Sequence, residues 1–211
     1  MLKNGFTAGF MASTISQNYF PGARTELDVY ANFGANVSDD WSWRAGFYAY
    51  MYPGGNLNNA RPPLPSRSFN TLEMNAAVTW KWLTFKYSRS LTDYMGIDAE
   101  QGYDSDSKGT QYIQLDAAIP LSDRWSLALH AGHLDIPASL MMTMMGSQTD
   151  PSYSDCGATI KWQFHPNWSA SLGATFASNA AIYGHMMSFH SESDTKDVGG
   201  TRSFIALQTN F

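Results

Sequence analysis

The sequence predicts a single all-β domain over residues 1–211, an antiparallel up-and-down transmembrane β-barrel. Three observations lead there. Apolar and polar residues alternate through ten segments of roughly ten residues each, the length a tilted membrane-crossing strand needs. The connections are short and long by turns, as in barrels whose turns face one compartment and whose loops face the other. All seven tryptophans, Trp41, Trp43, Trp80, Trp82, Trp125, Trp162 and Trp168, lie in or beside four short polar turns. That gathers their rings at one end of the sheet, as an interfacial aromatic belt.

Each strand follows from its own alternation. The first sets Phe6, Ala8, Phe10 and Ala12 against Thr7, Gly9 and Ser13, and the second sets Leu27, Val29, Ala31, Phe33, Ala35 and Val37 against Glu26, Asp28, Tyr30, Asn32 and Gly34. In the third, Trp43, Ala45, Phe47, Ala49 and Met51 oppose Arg44, Gly46, Tyr48 and Tyr50; in the fourth, Leu72, Met74, Ala76 and Val78 oppose Glu73, Asn75 and Thr79. Leu83, Phe85 and Tyr87 then alternate with Thr84, Lys86 and Ser88, and Ile113, Leu115, Ala117 and Ile119 with Gln114, Asp116 and Ala118. The seventh strand carries Leu127, Leu129 and Ala131 against Ser126, Ala128 and His130, and the eighth Ala158, Ile160 and Trp162 against Thr159, Lys161 and Gln163. Trp168, Ala170, Leu172, Ala174 and Phe176 face away from Ser169, Ser171, Gly173 and Thr175 in the ninth. The last sets Ile205, Leu207, Thr209 and Phe211 against Phe204, Ala206, Gln208 and Asn210.

Short turns join strands two to three, four to five, six to seven and eight to nine. Three of them read alike, as Val37-Ser38-Asp39-Asp40-Trp41, Leu121-Ser122-Asp123-Arg124-Trp125 and Phe164-His165-Pro166-Asn167-Trp168, and the fourth is the tighter Trp80-Lys81-Trp82. The longer joins run over residues 18–24, 53–68, 93–109, 136–152 and 178–200. An even strand count returns both chain ends, including Phe211, to the short-turn side.

Composition sets the remaining bounds. Charged residues make up 15% and apolar ones 44% of the chain, and the mean hydropathy of −0.30 fits a barrel because the inward half of each strand is polar. No run of about 18 apolar residues offers a helical span. A net charge of −5 excludes nucleic acid as an expected partner. Cys156 is the only cysteine, so no intramolecular disulfide forms. Met1 to Gly5 is not a signal peptide, although such a barrel is exported, so either a leader has been removed or the chain begins late; ten strands are visible, and an N-terminal hairpin, if missing, would make twelve. A soluble up-and-down barrel also alternates with period two. It would have to bury the ionisable face, at about several kcal/mol for each unpaired charge, whereas a membrane barrel presents that face to a hydrated lumen.

The inward charges are Glu26 and Asp28, then Arg44, Glu73, Lys86, Asp116, His130 and Lys161, alternating in sign from strand to strand, with Tyr48, Tyr50 and Tyr112 adding bulk. Pairing Leu121 with Trp125 across the turn puts Asp116 directly opposite His130. Opposite charges on neighbouring strands are then expected to pair across the lumen wall, at about 0.2–1 kcal/mol each. Ten to twelve strands lie between filled barrels and open porins, so the lumen is expected to be narrow or gated.

Other constellations point elsewhere. Met141, Met142, Met144 and Met145 in one loop and His185, Met186, Met187 and His190 in another offer soft ligands for copper(I); the plainer reading is apolar loop tips folded over the mouth, with no cofactor. Asp104-Ser105-Asp106-Ser107-Lys108-Gly109 opens like a calcium loop, but Lys108 occupies a ligand position and Leu115 stands where a bidentate glutamate is needed. His133 and Asp135, on the lipid-facing parity, would suit a lipid hydrolase with Ser139 as candidate nucleophile, yet a girdle or loop histidine is the plainer reading and no enzyme is expected.

Several stretches resemble the TorF porin family, proteobacterial barrels largely without assigned function. They are NGFTAGFMAS at 4–13, TELDVYANFG at 25–34, GFYAYMYPGG at 46–55, FKYS at 85–88 with Thr92-Asp93-Tyr94, and LHAGH at 129–133. The resemblance covers about the first two thirds of the chain and supplies no catalytic residues. It implies a bacterial outer-membrane barrel in contact with the lipid bilayer. With the charged lumen, the expected function is a narrow channel for small hydrophilic solutes or ions. The alternative is a closed structural or surface-binding barrel whose Met/His loops bind a partner or copper.

Overall fold

The structure, a computed structural model, describes residues 5–142, 147–191 and 194–210. Ten antiparallel strands form one sheet in chain order. They are β1 (Gly5–Thr14), β2 (Thr25–Asn36), β3 (Trp41–Met51), β4 (Thr71–Trp80) and β5 (Leu83–Ser90), followed by β6 (Gln111–Pro120), β7 (Trp125–Asp135), β8 (Tyr153–His165), β9 (Trp168–Ala177) and β10 (Gly200–Thr209). This is the up-and-down transmembrane-barrel architecture expected from the alternation. Two small ribbons decorate the long loops, pairing Leu140–Met142 with Ser147–Thr149 and Met186–Met187 with Thr195–Lys196.

The packing is inverted relative to a soluble protein. Along β4, buried Thr71, Glu73, Asn75 and Ala77 alternate with exposed Leu72, Met74, Ala76 and Val78. Other strands repeat it, with Phe10 75% and Ile205 84% exposed while Asp28 is 3% and Glu73 7% exposed; the two end strands are largely exposed on both faces. In water each outward Leu, Ile or Phe would forgo about 1.5–3 kcal/mol of burial. Hydrocarbon restores that term, so the apolar face is the lipid face.

The seven tryptophans are each 39–46% exposed, as half-embedded interfacial rings should be. Trp41 packs on Trp80 at 6.1 Å and Trp125 stacks on Trp162 at 5.8 Å. The turns at 37–41 and 121–125 are built identically. Val37 and Ser38 donate to the Trp41 carbonyl, and Leu121 and Ser122 to that of Trp125, while each serine Oγ accepts from the tryptophan N–H at 3.2 Å. The third turn departs from this expectation: β8 continues to His165, which pairs with Trp168 around Pro166 and Asn167 after a register shift at residues 163–165. His165 stands where the other two turns have serine, and its Nδ1 accepts from the Asn167 N–H at 3.3 Å.

The long loops pack into a cap at the other end. Ala23, Tyr52, Leu57 and Phe69 form one buried cluster with Phe20, whose ring stacks on Tyr52 at 4.7 Å. Leu134, Ile136 and Ala138 form a second with Tyr94, Ile97 and Tyr103. Of the methionines expected to fill this region, Met187 is 62% and Met141 39% exposed, and Met186 is half-buried. Met144, Met145 and Phe211 lie outside the described residues.

Candidate functional site in the lumen

The inward residues fall into three groups. Toward the loop end, Glu26 accepts from Tyr52 Oη at 2.9 Å, Asp28 lies 3.5 Å from Tyr48 Oη, and Tyr48 packs between Tyr30 and Tyr50 at ring distances of 5.8 and 4.7 Å. Arg44 and Lys86 line one cavity, and Lys86 shares a second with Glu73 and Tyr50. Lys161 stands apart, opposite Ser126 and Ser171.

The third group joins β6, β7 and β8. Asp116 lies opposite His130, in the register the turn length implies, and its carboxylate is 2.6 Å from His130 Nδ1. The Asp155 carboxylate sits 2.7 Å from His130 Nε2 and accepts from Tyr112 Oη at 3.0 Å. Gln114 donates to the free oxygen of Asp116 at 2.7 Å. An ionised carboxylate only accepts, so donating to both would require a hydrogen on each ring nitrogen of His130, making it a cation clamped between two anions. Tyr112 reaches this network by lying flat on the wall, where a Cβ at Gly132 would stand 2.2 Å from its hydroxyl. Tyr30 lies over Gly9 in the same way.

The expected strand-to-strand ladder of charges is otherwise not formed. Among the inward charges predicted from sequence, Asp116 and His130 alone pair with each other. Arg44 faces Gly34 and Ala77, Glu73 faces Tyr48 and Ser90, and Lys86 faces Ala77 and Gln114, so the alternating signs occupy different rungs.

A loop residue closes the space between these groups. Tyr94 is inserted beside Tyr50, Tyr112 and Tyr153 around a cavity of about 200 Å³ that Lys86 and Glu73 also line. Burial holds its phenol well above the ordinary tyrosine range, so it stays a neutral hydroxyl. The loop carrying it is fastened: Tyr94 N–H donates to Ser107 Oγ at 2.8 Å and Met95 N–H to Thr71 Oγ1 at 2.9 Å, while Asp93 accepts from Lys108 N–H at 3.0 Å. Farther along, buried Asp98 accepts from the Glu100 and Gln101 amides and is gripped by Arg67, which also bridges to Glu100 at 2.7 Å. Arg67 thereby ties the 53–68 loop to the 93–109 loop.

The remaining candidates resolve differently. Met141 and Met142 lie in the ribbon beside Gly102 and Tyr103, whereas the 186–190 segment reaches Asn18 and Arg61 through Phe189. His185 and His190 belong to that second neighbourhood, and among the described residues no three His, Cys, Asp or Glu side chains form a metal-holding group. Asp104 and Ser107 spend their oxygens on loop contacts, accepting from Ser139 N–H at 2.7 Å and donating to the Ile97 carbonyl at 2.5 Å. Ser139 is not near His133 in hydrogen bonding; the partner is Ser154 Oγ, 2.9 Å from Nδ1 on the adjacent strand.

An apolar girdle, a polar inner face and a turn end distinct from a loop end are the parts of a membrane β-barrel. Residues 1–199 match Gcw_chp, described as a bacterial protein of unknown function. The chain belongs to the Gcw_chp family. No curated protein matches it. Among solved structures it is similar to the NanC porin in a rhombohedral crystal form, with a TM-score of 0.58 and 8% identity over 99% of this chain and 98% of that one. A Pseudomonas aeruginosa FadL homologue also matches, with a TM-score of 0.47 and 14% identity over 98% of this chain and 63% of that one. At these identities the NanC likeness assigns this Gcw_chp chain a porin-type barrel fold.

Proposed function

We propose that this Gcw_chp protein is an outer-membrane channel, similar to the TorF porins, that passes small hydrophilic solutes or ions through a narrow lumen. The observation that carries the reading is the inverted burial: charged and amide side chains are enclosed while the apolar face is exposed. An enclosed polar face lined by several cavities has a use if water and solutes enter it. Tyr94 and its tyrosine neighbours set the narrow point, and the charges around it set the field an ion crosses.

Replacing both Lys86 and Lys161 by glutamine should shift the reversal potential under a salt gradient toward cation preference, because two inward positive charges are removed and the carboxylates stay. Unchanged reversal potentials would take both lysines out of the conducting path.

A further inference from the structure

One rung of the sheet sets two cations side by side. Gly34, Arg44, Ala77, Lys86 and Gln114 are successive partners from β2 to β6. Arg44 and Lys86 therefore flank buried Ala77, two strand spacings or about 10 Å apart at the backbone, and their long stems can converge over the small residue. They line a cavity of about 300 Å³ together with Thr7, Tyr30, Tyr48 and Asn75. Among the described residues no carboxylate lines it, and neither cation has an ion-pair partner: Asp116 is taken by His130, and Glu73 lines the adjoining cavity together with Lys86.

Two like charges held on one rung repel, with Lys86 half-buried and Arg44 exposed to the lumen. A bound anion relieves it. The guanidinium fork and the ammonium point charge are complementary donors for a planar or tetrahedral oxyanion. The hydroxyls of Thr7 and Tyr30 and the Asn75 amide supply neutral donors around them. A cavity of this size is at the small end of ligand pockets, suited to a compact solute.

We propose that Arg44 and Lys86 form a binding site for small oxyanions, carboxylate or phosphate, within the lumen, and that the channel selects such solutes. The transport half of this rests on the channel reading; the binding half does not require conduction.

The test is isothermal titration of the refolded full chain in detergent micelles with acetate and with inorganic phosphate. Saturable binding is expected, weakened about tenfold or more in Arg44→Gln and in Lys86→Gln. Ala77→Asp is expected to abolish it, because a carboxylate then sits between the two cations with both still present. Lys81→Gln, which removes one charge from a turn where Lys81 pairs with Asp40 at 3.6 Å, should leave binding unchanged. Tighter acetate assigns carboxylates and tighter phosphate assigns phosphate monoesters, and either supports the site. No saturable binding to the wild type, or equal affinity in all three lumen variants, overturns it. Binding without conductance in a planar bilayer keeps the site and removes the channel; conductance without binding keeps the channel and removes the site.

Discussion

Replacing Tyr94 by alanine should raise the single-channel conductance by about twofold or more, since the narrowest element sets the resistance of a pore. Tyr94 alone among the tyrosines at the constriction comes from a loop rather than a strand, so its removal widens the lumen without touching the sheet. The backbone around it is held by Thr71, Ser107 and the Asp93–Lys108 contact, none of which uses the phenol. The barrel should therefore fold as before. Arg67→Ala gives the complementary result: the Asp98 side chain, 3% exposed, loses its cation, the two loops are left joined by the Gln101 side chain on the Pro65 carbonyl, and the current should fluctuate between levels instead of holding one. A Tyr94→Ala pore with wild-type conductance would place the narrow point elsewhere.

Gly132→Ala should destabilise the folded barrel by about 2–4 kcal/mol, combining overpacking with lost charge-assisted hydrogen bonds. The added Cβ would lie 2.2 Å from the Tyr112 hydroxyl and 2.6 Å from its ring, forcing the side chain off the wall and away from His130 and Asp155. Gly157→Ala is the matched control on the neighbouring strand. There the nearest atom is 3.4 Å away, an ordinary contact, so the change should be within about 0.5 kcal/mol. Denaturant unfolding in micelles, followed by tryptophan emission, measures both. Equal effects at the two positions would mean that Tyr112 and its network contribute little.

Strand-level features were legible because they are local. Period-two alternation assigned the faces, and one short turn placed Asp116 opposite His130 from residue numbers alone. Asp155 escaped notice although its parity is inward: the outward residues around it, Ser154 and Cys156, are small and weakly apolar, so the alternation fades and β8 is read as starting near Ala158 instead of Tyr153. The expected charge ladder failed for a related reason. Alternating signs in sequence do not assign rungs, and Arg44 and Lys86 share theirs only through Ala77. Tyr94, Arg67 and Asp98 meet through loops with no periodicity, and nothing in the sequence places one loop against another. The tyrosines lying over Gly9 and Gly132 become visible once the register is known, since a large inward residue beside an inward glycine marks the fit.

The most direct measurement is the conductance of the refolded protein in a planar lipid bilayer, with a heat-modifiable band on a gel confirming the folded state. Discrete, ion-selective current steps are expected, small in size because the tyrosines crowd the lumen. A folded, membrane-inserted protein that gives no steps in the wild type and none in Tyr94→Ala would contradict the channel and leave a closed barrel whose function resides in its loops.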